Sequence, residues 1–240
     1  KAYIFERMKD GYTRNITEYL RSGEKKPDNL RIGLEVEHFI LWGPSRTGVT
    51  YKGERGIREL LHWFEWQGWE GCYEEGRIVG LSRGRQTITL EPGAQVEFSS
   101  TPALEIDTLA AEYNQFLDNL RVWTGGNGQM VENLGYQPVS SISKLPLIPK
   151  RKYHEMDRYF RGRGEYARHM MLGTGATQVT VDYMNEADFL RKLRLAACCA
   201  PVFALLFSNC SSFEGLPYKG YSLRTEIWNN CDDDRCGIIP

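Results

Sequence analysis

No apolar run in these 240 residues is long enough to cross a bilayer. The longest, Leu195 to Phe207, falls short of the roughly 20 residues a spanning helix needs and reads as a buried helix. There is no excess of positive charge either. Lys and Arg number 30 against 31 Asp and Glu, for a net charge of -1, so nothing in the balance points to nucleic acid or an anionic membrane surface as a partner. Six cysteines are too few for a disulfide scaffold in a chain of this length. Cys198, Cys199 and Cys210 lie in or just after the apolar run and read as small hydrophobes. Cys231 and Cys236 leave open a metal-ligand pair or a small closed loop, although a zinc site would need a second cysteine pair or histidines. A reduced, cytoplasmic protein is the expectation, and residues 1–7 show no apolar leader. Phosphate-binding glycine loops and serine or cysteine nucleophile motifs are also missing.

What is present is ordinary for a folded globular domain: 41% hydrophobic, 25% charged and a mean hydropathy of -0.47. Ile16 to Ser22 predicts a short helix ending at Gly23, followed by a strand from Arg31 to Trp42. Ile57, Leu60, Leu61 and Phe64 recur at helical spacing before Gly68. Arg77 to Leu81 and Thr87 to Leu90, joined by Ser82-Arg-Gly-Arg85, predict an antiparallel hairpin. Gln95 to Ser99 resumes an extended pattern. Leu104 to Trp123 predicts an amphipathic helix stopped by Gly125-Gly-Asn-Gly128, and Gln137 to Pro149 an irregular, mobile segment over a site. Gln178 to Tyr183 alternates like a strand. Asn185 and Asp188 form a cap ahead of a long buried helix to about Ser208, kinked at Pro201. Hairpins mixed with helices give an α+β domain rather than a doubly wound parallel sheet.

The chemistry is expected where acids fall on strands. Glu35 and Glu37 are two residues apart, so on a strand they share a face with Cα atoms roughly 6.5 Å apart. A second acidic strand places Gln95 and Glu97 together, with Glu91 just before the turn at Pro92-Gly93. Four carboxylates would repel one another in low dielectric unless a hard cation such as Mg²⁺ neutralised them. Spacing alone leaves three readings open: a sheet with one wet face, metal-supported phosphate chemistry, or paired carboxylates in glycosidase-like acid–base work. His38 alternates to the opposite face and reads as structural. Near the chain's end, Arg224 and Trp228 could clamp a carboxylate and cover a ligand's carbon chain, or be a surface arginine and a core tryptophan.

Five blocks in order carry a family resemblance: Arg31-Ile-Gly-Leu-Glu-Val-Glu-His-Phe39, Gln86-Thr-Ile-Thr-Leu-Glu-Pro-Gly-Ala-Gln-Val-Glu-Phe-Ser99, Thr177-Gln-Val-Thr-Val-Asp-Tyr183, Asn185-Glu-Ala-Asp-Phe-Leu-Arg-Lys-Leu-Arg194 and Leu223-Arg-Thr-Glu-Ile-Trp228. Together with Leu145-Pro-Leu-Ile-Pro-Lys-Arg-Lys-Tyr153 they resemble the plant and proteobacterial type of glutamate–cysteine ligase, from about residue 12 onward. The resemblance implies a glutamine-synthetase-like catalytic fold with a curved antiparallel sheet, residues 1–240 forming one ligase domain that continues beyond Pro240 into a Glu-x-Arg element. It implies ATP-dependent joining of the glutamate γ-carboxyl to the cysteine amine through a γ-glutamyl phosphate, with glutamate, cysteine and ATP as small-molecule partners. Glu35, Glu37, Glu91 and Glu97 would hold Mg²⁺, with Glu35, Glu37 and Glu97 catalytic. Gln178, Thr180, Arg224 and Trp228 would contact the amino acid, and Lys150 and Arg235 the nucleotide. Thr180 and Gly173 depart from the pattern, which has Asn and Arg at those positions. A binding relic without turnover, and a γ-glutamyl ligase for another amine, are the alternative readings. The 240 residues alone are expected to release no phosphate, and to self-associate or pair with the remaining segment.

Overall fold

The computed structural model describes residues 13–237. Residues 13–22 are helical (α1). There follow β1 (Ile32–Trp42), α2 (Ile57–Trp66), β2 (Glu70–Glu74), β3 (Arg77–Arg83), β4 (Gln86–Leu90), β5 (Val96–Ser99), α3 (Ile106–Gly126) and β6 (Gln129–Glu132). The second half contributes α4 (Arg151–Phe160), α5 (Ala167–Gly173), β7 (Thr177–Val181), α6 (Glu186–Leu206), a small hairpin of β8 (Ser212–Phe213) and β9 (Leu216–Pro217), and α7 (Leu223–Asn229). No helix among the described residues is long and apolar enough to cross a membrane.

Seven strands form one sheet in the order β2-β3-β4-β5-β1-β6, with β7 also on β1, and every pairing is antiparallel. The α+β class, with an antiparallel sheet and flanking helices, is as expected. β1 is the central strand because it is long enough to serve three neighbours: β5 along one edge, and β7 and then β6 along the other. Its even positions face the main core. There Ile40, Ile88, Leu90, Val96 and Phe98 of the sheet meet Ile57, Leu60, Leu61 and Phe64 of α2 and Phe116 and Leu120 of α3. Phe116 stacks on Phe98 with ring centroids 4.7 Å apart and on Phe64 at 5.8 Å. His38 belongs to this layer, as expected of a structural histidine. Its Nδ1 donates to the Val96 carbonyl at 3.1 Å, which leaves Nε2 to accept from the Tyr113 hydroxyl at 2.9 Å. Burial holds its pKa down at about 4, so it stays neutral.

Four expectations need correction. The helix α3 runs on through Gly125 and Gly126 and stops only where Gly128 adopts a φ of +68°. The 137–149 segment is irregular, but packed rather than mobile: Gln137 and Ile148 are fully buried, Gly48 N–H donates to Ser140 Oγ at 2.9 Å, and Ile148 N–H to the Pro92 carbonyl at 3.1 Å. Its Gln137 and Leu145 line a small cavity beside Phe39, while Ile148 joins the main core. The long helix α6 forms with Asn185 as its cap, the side chain accepting from Asp188 N–H, but it is not buried. Only Asp188 is buried within it, while Leu195, Val202, Phe203, Leu205 and Leu206 face solvent, as does Phe207 just beyond. Cys198 is exposed on the same helix rather than acting as core filling. The apolar leader question concerns residues 1–7, outside those described.

Candidate active site

Opposite the main core, the sheet presents a polar face. Register puts Glu37 directly across from Glu97, and Glu97 across from Thr89. One step along, Glu35 lies between Ser99 on β5 and Gln178 on β7, and Thr180 faces Gly33. Directly opposed residues share a face, so four strands contribute to one surface. Glu91 extends it at the end of β4. Its turn is tight: Ala94 has a φ of +70° and its N–H donates to the Glu91 carbonyl at 2.9 Å. Gly93 allows the end of α5 to approach, because a Cβ there would lie 2.2 Å from the Leu172 carbonyl oxygen. The approach is fixed by Gln95, whose Nε2 donates to the carbonyls of Leu172 at 3.3 Å and Thr174 at 2.8 Å.

Each of three carboxylates is held by a neutral donor through one oxygen. Thr89 Oγ1 donates to Glu97 Oε1 at 2.7 Å, Gln178 Nε2 to Glu37 Oε1 at 3.1 Å, and Tyr153 Oη to Glu91 Oε1 at 3.1 Å. Glu37 is 9% exposed, and burial first, then the charges of Glu91 and Glu97, push its pKa up to about 7 despite Arg224 and the Ala176 amide. Burial and Glu97 also raise Glu35 and Glu91. A merely wet face would leave these groups near their ordinary values; this one is short of positive charge. Among the described residues no three His, Cys, Asp or Glu side chains converge on a single metal position. The donor set nevertheless suits a hard cation, being oxygen-only with the second oxygen of each carboxylate not used in these bonds.

Cations flank the acids at two places. Lys150, preceding α4, donates through Nζ to the Leu90 carbonyl at 3.2 Å, beside Tyr153 and close enough to Glu91 and Glu97 to feel their charge. Arg224 on α7 lies near Glu37; its Nε donates to the Gly175 carbonyl at 3.3 Å and its guanidinium sits 5.3 Å from the Trp228 ring. Arg224, with Trp228 beside it on the same helix, therefore lies at the edge of the acidic face. Arg235 is not brought there. It bonds Asp232 at 3.2 Å and lies 4.3 Å over the Tyr159 ring, and Asp232 is held in turn by the Tyr159 hydroxyl at 2.9 Å. Cys231 and Cys236 are free thiols. The room that an arginine at position 173 would take is filled by the buried Tyr136 ring, 2.4 Å from where a Cβ would be.

Sequence reasoning missed Thr89 and Tyr153. Thr89 was available, since it alternates with Thr87 on the polar side of the hairpin. Nothing local marks Tyr153, which reaches Glu91 only because α4 docks across the end of β4.

Comparison with known proteins bears on this geometry. Residues 31–240 match the model of glutamate–cysteine ligase family 2. The chain is 33% identical over 227 residues to glutamate–cysteine ligase A, chloroplastic, of Oryza sativa subsp. japonica, covering 94% of this chain and 46% of that protein. The corresponding chloroplastic enzymes of Medicago truncatula and Arabidopsis thaliana are 34% and 35% identical over the same share of this chain, with 44% and 43% of their own lengths covered. The chain thus spans less than half the length of these curated relatives. The cytoplasmic expectation does not stand, because these relatives are named as chloroplastic proteins.

Proposed function

The chain belongs to glutamate–cysteine ligase family 2, and from that premise we propose that it supplies the acidic and amino-acid walls of an ATP-dependent ligase joining glutamate to cysteine. Its antiparallel sheet and flanking helices are consistent with a glutamine-synthetase-like ligase fold. The γ-carboxylate of glutamate takes the terminal phosphoryl group of ATP, releasing ADP. The cysteine amine then displaces phosphate and loses a proton, as part of glutathione synthesis.

The observation that carries the reading is the clustering of Glu35, Glu37, Glu91 and Glu97 at one sheet face, with Glu37 half-neutralised near pH 7 for want of a counter-charge. Bare ATP would be repelled by such a surface. Mg²⁺ ions shared between these carboxylates and the phosphates of ATP, rather than one ion held by all four acids, would supply the missing charge and screen the phosphates from the incoming carboxylate. Lys150 is suited to a phosphate oxygen at the Glu91 end. At the other end Arg224 presents its remaining guanidinium nitrogens to the amino acid's carboxylate, Trp228 stiffens that arginine and packs over the carbon chain, and Gln178 and Thr180 line the wall between.

In the ligase that carries this chain, Glu35→Gln and Glu97→Gln should each lower kcat on the order of 100-fold and raise the Mg²⁺ needed for half-maximal rate. An unchanged rate and Mg²⁺ dependence in both variants would reduce these acids to a solvent-facing surface.

A further inference from the structure

An open cavity of about 510 Å³ lies at the head of the sheet, where β1 and β4 begin and β5 has ended. Lys25, Lys26, Arg31 and Arg85 line it, with Glu24 and Asn29. Lys25 is neutralised by Asp182 at 2.7 Å. Arg31 uses Nη1 on the carbonyls of Asp28 and Leu30, at 3.1 and 2.8 Å, which fixes the guanidinium and leaves its other nitrogens available. Lys26 and Arg85 have no carboxylate partner among the described residues. Four cations against Glu24 and Asp182 leave two positive charges around the cavity.

Strand phase connects this cavity to the polar face. Arg31, just before β1, continues the series Gly33, Glu35, Glu37, while Arg85 sits in the two-residue turn that leads into β4, whose Thr87, Thr89 and Glu91 run on toward the acids. This end of the sheet is therefore cationic and the face further along acidic, with Arg31 and Glu35 roughly 13 Å apart at the usual strand rise. The cavity is open, so salt and water weaken each contact, and a single carboxylate would gain little from it. An anion with several charges on a chain gains from all three available cations at once, and arginine forks match phosphate oxygens.

We propose that this cavity binds the phosphate chain of a small molecule, a nucleoside polyphosphate or inorganic pyrophosphate, through Lys26, Arg31 and Arg85. The site is separate from the carboxylate cluster and does not depend on the ligase reading. Phosphate can bind here whether or not the acidic face supports turnover.

The test is calorimetric titration of the 240-residue protein at 0.15 M salt with pyrophosphate and with ATP, both in EDTA so that no metal bridges the carboxylates. Lys26→Glu/Arg85→Glu should weaken pyrophosphate binding about tenfold or more, with the melting temperature unchanged because both side chains are exposed. Arg121→Glu, an exposed change on α3 across the sheet, should leave the affinity as it was. ATP bound tenfold tighter than pyrophosphate would identify a nucleotide as the occupant, and equal affinities the phosphate chain alone. The proposal is overturned if the wild type binds neither ligand at millimolar concentration, if the double variant binds as well as wild type, or if Arg121→Glu weakens binding equally.

Discussion

Replacing Glu37 by glutamine should stabilise the free protein at alkaline pH. The carboxyl has an ordinary value of 4.5 and is pushed up to about 7 in the folded chain, chiefly by burial and by Glu91 and Glu97. A raised carboxyl favours the folded state most when protonated. The stability it contributes is complete below pH 4.5 and is lost as pH rises through about 7. At about 1.4 kcal/mol per pKa unit, the loss amounts to about 3 kcal/mol by pH 8.5. Glutamine keeps an oxygen to accept from Gln178 and carries no charge, so the variant escapes this loss. Urea unfolding followed by tryptophan fluorescence should therefore give matching midpoints at pH 4.5 and midpoints separated on the order of 1 M at pH 8.5, the variant being the more stable. All other titrating groups are common to both proteins, so the difference reports position 37 together with its coupling to Glu91 and Glu97. Millimolar Mg²⁺ at pH 8.5 should close the gap by stabilising wild type alone. Parallel pH profiles, or a variant less stable at pH 8.5, would refute both the repulsion and the cation reading built on it.

Arg224→Lys keeps the charge but loses the planar fork, so in the complete ligase the KM for glutamate should rise about tenfold while that for ATP hardly moves; steady-state kinetics in both substrates checks this, and the reverse pattern would make Arg224 a phosphate ligand. Gly173→Ala forces a Cβ to within 2.4 Å of the buried Tyr136 ring and should cost about 1–3 kcal/mol, read as a melting temperature lower by several degrees; a neutral result would show that the ring can retreat.

The strands that form the acidic face were legible because each combined alternation with a nearby turn residue: Glu35 and Glu37 on one, Thr87 and Thr89 before Glu91 on the next. What could be read was which residues share a face. The donor that holds each acid was harder, since Tyr153 and Gln178 meet theirs only through the packing of distant segments. The strand β2 escaped notice because Glu70-Gly-Cys-Tyr-Glu74 shows no alternation and is almost wholly exposed; its one signal was Glu75-Gly76, where both residues take positive φ. The helix α4 was hidden by its charge, with Tyr153, Asp157 and Phe160 its buried positions. For α6 the error ran the other way. An apolar sequence was equated with a buried one, yet burial depends on what lies against a helix, and that is not a local property of the chain.

The exposed apolar side of α6 bears on how this sequence can change over time. At a core position such as Phe116, volume and polarity are both constrained, and few replacements survive. A residue facing only water has no such constraint, and mutation should turn Leu195, Val202, Phe203, Leu205 and Leu206 polar as readily as any surface site. A library of α6 variants selected first for solubility and then for ligase activity would therefore distinguish two histories. If polar residues pass both selections, the stripe is neutral drift; if they pass the first and fail the second, something in the working enzyme rests against it, and selection has kept it apolar.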